Sequence, residues 1–171
     1  MFKGYVQIYT GNGKGKTTAA IGLALRAAGS GMKVFIAQFL KKRKCSEHKA
    51  LERLSDLITI KRYGEGFVKA HPERKHILAV RKGIEEVKKI INGGEYNLVI
   101  LDEINLLPSL KLINVEEIID IIKNKPKIVE IVLTGRYAPE ELIQIADLVT
   151  EMKEIKHYYS KGIKARKGIE Y

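Results

Sequence analysis

The residues with the clearest chemical meaning form one glycine-rich run, TGNGKGKTT at positions 10–18, directly after a short β-prone segment. Its glycines let the backbone turn tightly, so that successive N–H groups face a single anion. A helix beginning at Lys16 would add unpaired N–H groups and the positive end of its dipole. Lys16 can then reach phosphate oxygens as a point charge, and the Thr17 hydroxyl can coordinate Mg2+. The run predicts a phosphate-binding loop.

This loop departs from the usual pattern G-x-x-x-x-G-K-[ST] by one residue. Thr10 stands where that pattern has glycine, so that Gly11 and Gly15 enclose three residues instead of four. A glycine-rich turn that binds nothing is the alternative interpretation. The lysine and threonine in register, and the order strand, loop and helix, favour binding of a nucleoside triphosphate. The ATP-binding residues predicted in the loop are Gly11, Asn12, Gly13, Lys14, Gly15, Lys16, Thr17 and Thr18.

Polar residues that follow later strands form a second group of candidates. The apolar run 98–101 ends in Asp102 and Glu103, whose carboxylates reach the same sheet edge as the loop and can hold Mg2+ opposite Thr17. Arg136 follows the run 128–133 and is predicted to pair with phosphates at that edge. Residues 41–44 (KKRK) also face this edge, but a solvated charge run is the favoured interpretation for them.

Alternating strands and helices must position these side chains. Apolar segments typical of strands buried on both faces occur at 5–9, 34–39, 57–60, 98–101, 128–133 and 148–150. Helical patterns lie at 17–28, 72–92 and 115–123, with a further helix expected to begin at Pro139. Asn114 and Glu117 are expected to form a capping box before the third helix. We predict a single α/β domain over residues 1–171, a mostly parallel sheet flanked by helices in a RecA-like P-loop nucleotide-binding fold.

Composition limits the classes of protein that fit. The 171 residues include 31 lysines and arginines against 20 acidic residues, which leaves a net charge of +11. This balance suits anionic partners such as nucleotides or nucleic acid, but a solvated charged surface explains it equally well. A single cysteine, Cys45, excludes an internal disulfide framework. No apolar run approaches the roughly 18 residues of a membrane span and no secretory signal is recognisable, so we expect a soluble, cytoplasmic protein.

The sequence resembles the P-loop corrinoid adenosyltransferases along essentially its whole length. The shortened loop, GMKV at 31–34, QFLK at 38–41, LDEIN at 101–105 and LTGR at 133–136 are all similar to motifs of that family. The tail of residues 146–171 is the most specific part of the resemblance, because generic P-loop ATPases have no such ending. Residues 42–89 resemble the family least.

The resemblance implies an unusual reaction. The cobalt of a reduced corrinoid, as Co(I), would attack the 5′ carbon of the ATP ribose, and the triphosphate would leave in one piece. ATP would lie in the reverse direction to that in ordinary P-loop enzymes. The implied roles are catalysis for Lys16 and Glu103, and contacts to Mg2+ for Thr17, Asp102 and Glu103. The basic residues Lys164, Arg166 and Lys167 would meet the phosphates or the periphery of the corrinoid.

The corrinoid contacts and partners follow from the same resemblance. Phe67 and Lys69 are expected beside the corrin ring, although the family usually has a tryptophan where Val68 and Lys69 stand here. Many members also carry an N-terminal extension before the first strand, whereas this strand begins almost at Met1. A homodimer is implied. A separate flavoprotein is expected to reduce the cobalt, since no flavin or iron–sulfur motif is visible in this chain.

Two other functions remain open from the sequence. A P-loop ATPase or kinase that cleaves at the γ-phosphate would share the loop, the acidic strand end and Arg136, but the shortened loop and the tail favour the transferase. A basic nucleic-acid-binding ATPase would account for the charge of +11. An arginine-rich helix or an aromatic-studded sheet, which would support that function, is not recognisable. Cobalamin, cobinamide and cobyrinic acid diamide derivatives are all candidate substrates.

Overall fold

Strands and helices alternate along the chain in the computed structural model, which describes residues 3–66, 68 and 71–171. The strands are β1 (Val6–Thr10), β2 (Val34–Phe39), β3 (Ile58–Tyr63), β4 (Leu98–Asp102), β5 (Glu130–Thr134) and β6 (Leu148–Glu151). The helices are α1 (Lys16–Gly29), α2 (Ser46–Leu51), α3 (Arg74–Gly93), α4 (Val115–Lys123) and α5 (Glu140–Ile145). Short 3-10 helices lie at Glu52–Leu54, Ile104–Leu106 and Tyr159–Lys161.

The six strands form one parallel sheet in the order β3-β2-β4-β5-β1-β6. The predicted α/β class and parallel sheet are therefore confirmed. Strand β5 lies between β1, which leads into the glycine-rich loop, and β4, which ends at Asp102. Because all strands run the same way, the residues that follow them meet at one sheet edge, where open α/β sheets bind ligands.

Both faces of the central sheet are buried under helices. On β2, Val34 and Ile36 face α1, while Phe35 and Phe39 belong to the core under α3. Helix α1 brings small residues to the sheet, which lets its backbone lie close to the strands: Ala20, Ala24, Ala27 and Ala28. Side chains alternate between the two faces of a strand, so the continuous apolar segments of the sequence serve both cores at once.

Helix α3 covers the other face with an apolar stripe. Val80, Ile84, Val87 and Ile91 recur every three or four residues and are all buried against the sheet. The remaining faces of α3 are mostly charged. Within the part of the chain that the structure describes, no helix combines the length and the apolar composition that crossing a membrane requires.

Most element boundaries agree with the predictions to within two residues. The capping box before α4 is present, with the Asn114 N–H donating to Glu117 Oε1 at 3.2 Å. Pro139 stands one position before α5 rather than at its first residue. Strand β3 continues to Tyr63, beyond the predicted end at residue 60, because residues 61–63 pair in register with the end of β2. Helix α2 was not predicted, since six residues are too few to show a helical period.

A glycine in the middle of α3 determines how closely this helix approaches the sheet. A Cβ at Gly83 would lie 2.6 Å from Tyr63 Cγ and 2.8 Å from Phe39 Cε1. We expect Gly83→Ala to lower the free energy of unfolding by about 1–3 kcal/mol through overpacking. Gly22, in the middle of α1, has open space around its Cβ position. Gly22→Ala is the matched control and should raise the free energy of unfolding by about 0.5–1 kcal/mol. Urea denaturation measures both, and equal effects would contradict the packing argument.

Candidate active site

The glycine-rich loop joins β1 to α1 and packs against the segment that follows β6. Gly11 and Gly15 have φ angles of 93° and 125°, which side chains disfavour. The Gly13 N–H donates to the Met152 carbonyl oxygen at 2.6 Å, and the Met152 N–H donates to that of Thr10 at 2.9 Å. A Cβ at Gly11 or Gly13 would approach the Met152 oxygen to 2.5 or 2.6 Å. These glycines therefore serve the packing of the loop as well as its curvature.

Lys16 is buried at the start of α1, with only 8% of its surface exposed. Its Nζ donates to the carbonyl oxygens of Gly11 and Gly13, both at 2.7 Å. Burial lowers the pKa of Lys16, with a further lowering from Arg136, and the nearby Glu103 and Asp102 oppose that shift. The loop thus holds an ammonium group among its own backbone atoms, beside two carboxylates and one guanidinium.

Asp102 ends β4 and lies beneath the loop with 1% of its surface exposed. Its Oδ1 accepts hydrogen bonds from the hydroxyls of Thr17 and Thr134, both at 2.7 Å. Its Oδ2 accepts from Gln38 Nε2 at 3.0 Å. Because Thr17 donates its proton to Asp102, the lone pairs of the Thr17 oxygen remain available to a cation. Side chains from the neighbouring strands β2 and β5 and from α1 therefore all donate hydrogen bonds to this carboxylate at the end of β4.

Glu103 is turned out of β4 by an unusual backbone conformation. Its φ of 65° lies in the left-handed region, and its N–H donates to Thr134 Oγ1 at 3.0 Å. Burial raises the pKa of Glu103, and the adjacent carboxylate of Asp102 adds to the rise, while Lys16, Lys41 and Arg136 oppose it. The side chain lines the cavity next to the loop. Asp102 therefore holds the hydroxyls of Thr17 and Thr134 in place beneath the cavity, whereas Glu103 is part of the cavity wall.

Lys41 is part of the site, so its interpretation as one residue of a solvated charge run is wrong. Its side chain is only 26% exposed, and its Nζ lies 3.3 Å from Glu47 Oε1 and 3.5 Å from Asp102 Oδ2. Burial by itself lowers the pKa of Lys41, but Asp102 and Glu47 more than offset that effect, so the pKa is raised overall. By contrast, Lys42 and Lys44 have side chains that are 62% and 58% exposed, as expected for such a run.

A cavity of about 730 Å³ opens above the loop, and the C-terminal tail forms its far wall. The tail is held to the loop by Lys14, whose Nζ donates to Glu170 Oε1 at 2.9 Å. Hydrogen bonds from Arg166 and Lys14 lower the pKa of Glu170 to about 2. At the end of the chain, Ser46 Oγ donates to the Tyr171 carbonyl oxygen at 2.9 Å. The Arg166 guanidinium stacks on the Tyr158 ring, 4.8 Å from its centroid.

The structure brings most of the predicted site residues to this one cavity. Those that line it are Asn12, Gly13, Lys14, Gly15, Lys16, Thr17, Thr18, Glu103 and Arg136. Gly11 belongs to the same loop without lining the cavity, and its carbonyl oxygen accepts from Lys16 Nζ. Of the three basic tail residues, Lys164 lines the cavity and Arg166 is bound to Glu170. Phe67 and Lys69, predicted to contact the corrinoid, lie outside the described residues.

Sequence reasoning missed the polar residues that support the site from neighbouring strands. Gln38 and Thr134 are both fully buried, and each donates to Asp102. Both sit at or next to the end of an apolar segment, at the same level of the sheet as Asp102. A polar residue at the carboxyl end of a buried strand was the available signal. Tyr158 and Glu170 in the tail carried no such signal, because their contacts depend on how the tail folds back.

The fold and the site together define a P-loop nucleotide-binding protein. In the search of solved structures, flagellar accessory protein FlaH from Methanocaldococcus jannaschii matches 88% of this chain and 72% of its own, with a TM-score of 0.61 and 15% identity. That likeness extends only to the fold.

Sequence comparisons identify the family. The family model described as ATP:corrinoid adenosyltransferase BtuR/CobO/CobP matches residues 2–171. A corrinoid adenosyltransferase of Sinorhizobium sp is 38% identical over 173 residues, which cover 99% of this chain and 81% of that protein. One from Escherichia coli (strain K12) is 32% identical, covering 99% of this chain and 86% of that protein. The chain belongs to the ATP:corrinoid adenosyltransferase family and is a transferase, and the comparisons do not favour the alternative of γ-phosphate cleavage.

Proposed function

We propose that the cavity above the glycine-rich loop is where the adenosyl group passes from ATP to the corrinoid. The observation that carries this assignment is the arrangement of the loop, Glu103, Arg136 and the tail around one cavity of about 730 Å³. The lining carries a net positive charge, because its basic side chains (Lys14, Lys16, Lys41, Arg136 and Lys164) outnumber its carboxylates (Glu47, Glu103 and Glu170). Such a lining suits a triphosphate, whose charge is spread over many oxygens.

The reaction transfers carbon rather than phosphate. Co(I) of the reduced corrinoid supplies an electron pair to the 5′ carbon of the ribose, and a cobalt–carbon bond forms. The bond between that carbon and the triphosphate oxygen breaks, and its electron pair leaves on intact triphosphate. The cobalt is oxidised by two electrons, to Co(III). The step needs no side chain that activates water, but it needs positive charge around the leaving group.

The residues of the loop fit the role of leaving-group stabilisation. The Lys16 ammonium is held by two loop carbonyl oxygens, which a triphosphate oxygen can replace as hydrogen-bond acceptor. Lys16, Thr17 and Thr18 at the start of α1 line the same cavity, and the unpaired N–H groups of a helix start carry partial positive charge. Arg136 follows β5 and lines the cavity on the side of Glu103. In this assignment Lys16 and Glu103 are the catalytic residues, and Arg136 pairs with phosphate.

The oxygen atoms beside the loop fit a magnesium ion. Thr17 Oγ1 and the carboxylates of Asp102 and Glu103 are hard oxygen donors, the type that Mg2+ prefers. We assign Thr17 and Glu103 as direct ligands, with Asp102 acting through Thr17, because Asp102 Oδ1 already accepts the Thr17 hydroxyl proton. When bound there, Mg2+ would neutralise charge on the triphosphate.

The proposal also covers the residues that contact the corrin ring, the oligomeric state and the source of electrons for the cobalt. Phe67 and Lys69 are assigned to the corrin ring on the resemblance to the family alone, because both lie outside the residues that the structure describes. We also infer a cytoplasmic homodimer of one domain per chain. Leu148 and Val149 on the edge strand β6 are 45% and 39% exposed, and these apolar side chains suit a protein partner. A flavoprotein is the proposed source of electrons for the cobalt.

The test is an anaerobic assay with Mg-ATP and chemically reduced cob(I)alamin. The expected result is loss of the Co(I) absorbance together with release of one intact triphosphate for each corrinoid consumed. The products are identified by anion-exchange chromatography. Omission of corrinoid should stop triphosphate release altogether. ADP and phosphate formed with or without corrinoid would contradict the proposal and would indicate cleavage at the γ-phosphate instead.

A further inference from the structure

Lys41 reaches the site through a strained backbone turn. Leu40, the residue between the end of β2 and Lys41, has a φ of 62°, in the left-handed region that leucine rarely adopts. Gly64 packs against this turn so closely that a Cβ on it would lie 2.4 Å from both Leu40 C and Lys41 N. Strained conformations of this type persist when the surrounding structure enforces them, and they cluster at functional sites.

The turn places the ammonium of Lys41 between two carboxylates from different elements. Lys41 Nζ lies 3.5 Å from Asp102 Oδ2, at the end of β4, and 3.3 Å from Glu47 Oε1, in the first turn of α2. Asp102 is 1% exposed, and a buried carboxylate needs a cation and further hydrogen bonds to balance it. Gln38 supplies one of those bonds to Oδ2. Lys41 supplies the positive charge on the same oxygen.

The two oxygens of Asp102 thus have separate partners. Oδ2 faces Gln38 and Lys41, whereas Oδ1 faces the hydroxyls of Thr17 and Thr134. Rotation of the carboxylate would break both sets of contacts at once. The partners of Oδ2 therefore also determine where Oδ1 points, and with it the Thr17 hydroxyl.

We propose that Lys41 is a positioning residue for adenosyl transfer: it holds Asp102 in the orientation that directs the Thr17 oxygen toward the metal and triphosphate. This inference rests on the proposed roles of Thr17 and Asp102. Glu47 supports the arrangement by holding the same ammonium at the end of β4, next to Asp102. Direct binding of Lys41 to a phosphate oxygen is the competing role, because the side chain also lines the cavity.

The test compares Lys41→Met with Lys42→Met. Methionine keeps the aliphatic length of lysine and removes the charge. Lys42 is the neighbouring lysine, 62% exposed and paired with Glu65, outside the site. For Lys41→Met we expect kcat for adenosyl transfer to fall by about 10- to 100-fold, the size of effect that slight misplacement of reacting groups produces. Lys42→Met should stay within about twofold, and Lys41→Arg should recover most of the lost rate because it restores the charge.

Calorimetry separates positioning from phosphate binding. The affinity for ATP with Mg2+ should fall about tenfold in Lys41→Met, a loss typical of weakened support for a metal ligand. The affinity for ATP in EDTA should stay within about threefold, because the phosphates then lose no direct partner. Equal losses with and without Mg2+ would overturn the proposal in favour of direct phosphate binding. A kcat for Lys41→Met equal to that of Lys42→Met would also overturn it.

A second variant covers the case in which Lys41→Met does not fold, as thermal melting would reveal. Glu47→Gln removes one of the two carboxylates that hold the ammonium, at a side chain 23% exposed. We expect kcat to fall about threefold with unchanged ATP affinity in EDTA, in line with a modest loss of orientation. An unchanged kcat would overturn the proposal. Failure of the proposed function itself would appear in the unmodified protein, as absence of transfer, whereas failure of this inference would appear only in the variants.

Discussion

Lys16→Ala should reduce kcat/KM for adenosyl transfer by about 10³-fold or more. The leaving triphosphate carries its charge into a buried region, where a pre-positioned ammonium contributes far more than it would in water. Lys16 has 8% of its surface exposed and stands among loop atoms at 2.7 Å. Alanine would leave the developing charge to Arg136, the backbone N–H groups and Mg2+, without the buried ammonium. The rate is measured from the decay of Co(I) absorbance under anaerobic conditions.

Lys33→Ala is the matched control for this variant. Lys33 precedes β2 at the opposite edge of the sheet, where its half-exposed side chain pairs with Glu95 at 3.1 Å. An exposed ion pair of this type contributes at most about 1 kcal/mol, so we expect transfer within about twofold of the unmodified protein. Thermal melting shows whether both variants fold. Retention of more than a tenth of the rate in folded Lys16→Ala would rule out its catalytic role.

Asp102→Asn is the second variant with a large expected effect, a fall in kcat of about 10²- to 10³-fold, comparable to the loss of one electrostatic contact at a reacting centre. The amide keeps the shape of the carboxylate but replaces one acceptor with a donor. Its NH2 must face either the Thr17 and Thr134 hydroxyls or Gln38 Nε2 and the Lys41 ammonium. Facing Gln38 and Lys41, the NH2 sets donors against donors in a buried region, which costs more than the loss of a single hydrogen bond. Facing the threonines, it makes their hydroxyls accept instead of donate, so it takes up the Thr17 lone pairs that a cation would use.

The Mg2+ dependence of transfer measures this effect most directly. We expect Asp102→Asn to require about tenfold more Mg2+ for half-maximal rate, since disturbed support of metal ligands lowers metal affinity by that order. Asp147→Asn is the control, because Asp147 Oδ2 accepts from the Val6 N–H at 2.8 Å, at the other end of the sheet. It should leave the Mg2+ dependence unchanged. A normal Mg2+ dependence in Asp102→Asn, combined with loss of transfer in Glu103→Gln, would assign the metal to Glu103 without help from Asp102.

A double variant tests whether Lys41 acts on the reaction through Asp102. The two side chains share Asp102 Oδ2, so the effects of Lys41→Met and Asp102→Asn should not add when they are combined. The double variant should be little slower than Asp102→Asn alone, since the positioning by Lys41 acts through Asp102. Additive losses would indicate that Lys41 acts independently.

Local patterns in the sequence were sufficient for the fold and for the centre of the site. Each buried strand is a continuous apolar run, and each long helix has its own apolar period and terminal signals, so both can be recognised without knowledge of their neighbours. The loop, Asp102 and Glu103 were recognisable for a related reason. Parallel strands deliver whatever follows them to one edge, so the order of elements already predicts that these residues meet.

Only the tertiary structure decided which other residues complete the site. KKRK at 41–44 has the composition of a solvated surface, and the burial of Lys41 depends on the strained Leu40 and on the close approach of Gly64, two residues from separate strand ends. The contact of Met152 with Gly11 and Gly13 depends on the pairing of β6 with β1. The tail shows little periodicity of its own, and its position follows from single contacts such as Lys14 with Glu170. A local pattern carries information about one element, whereas these contacts join residues that are distant in the sequence.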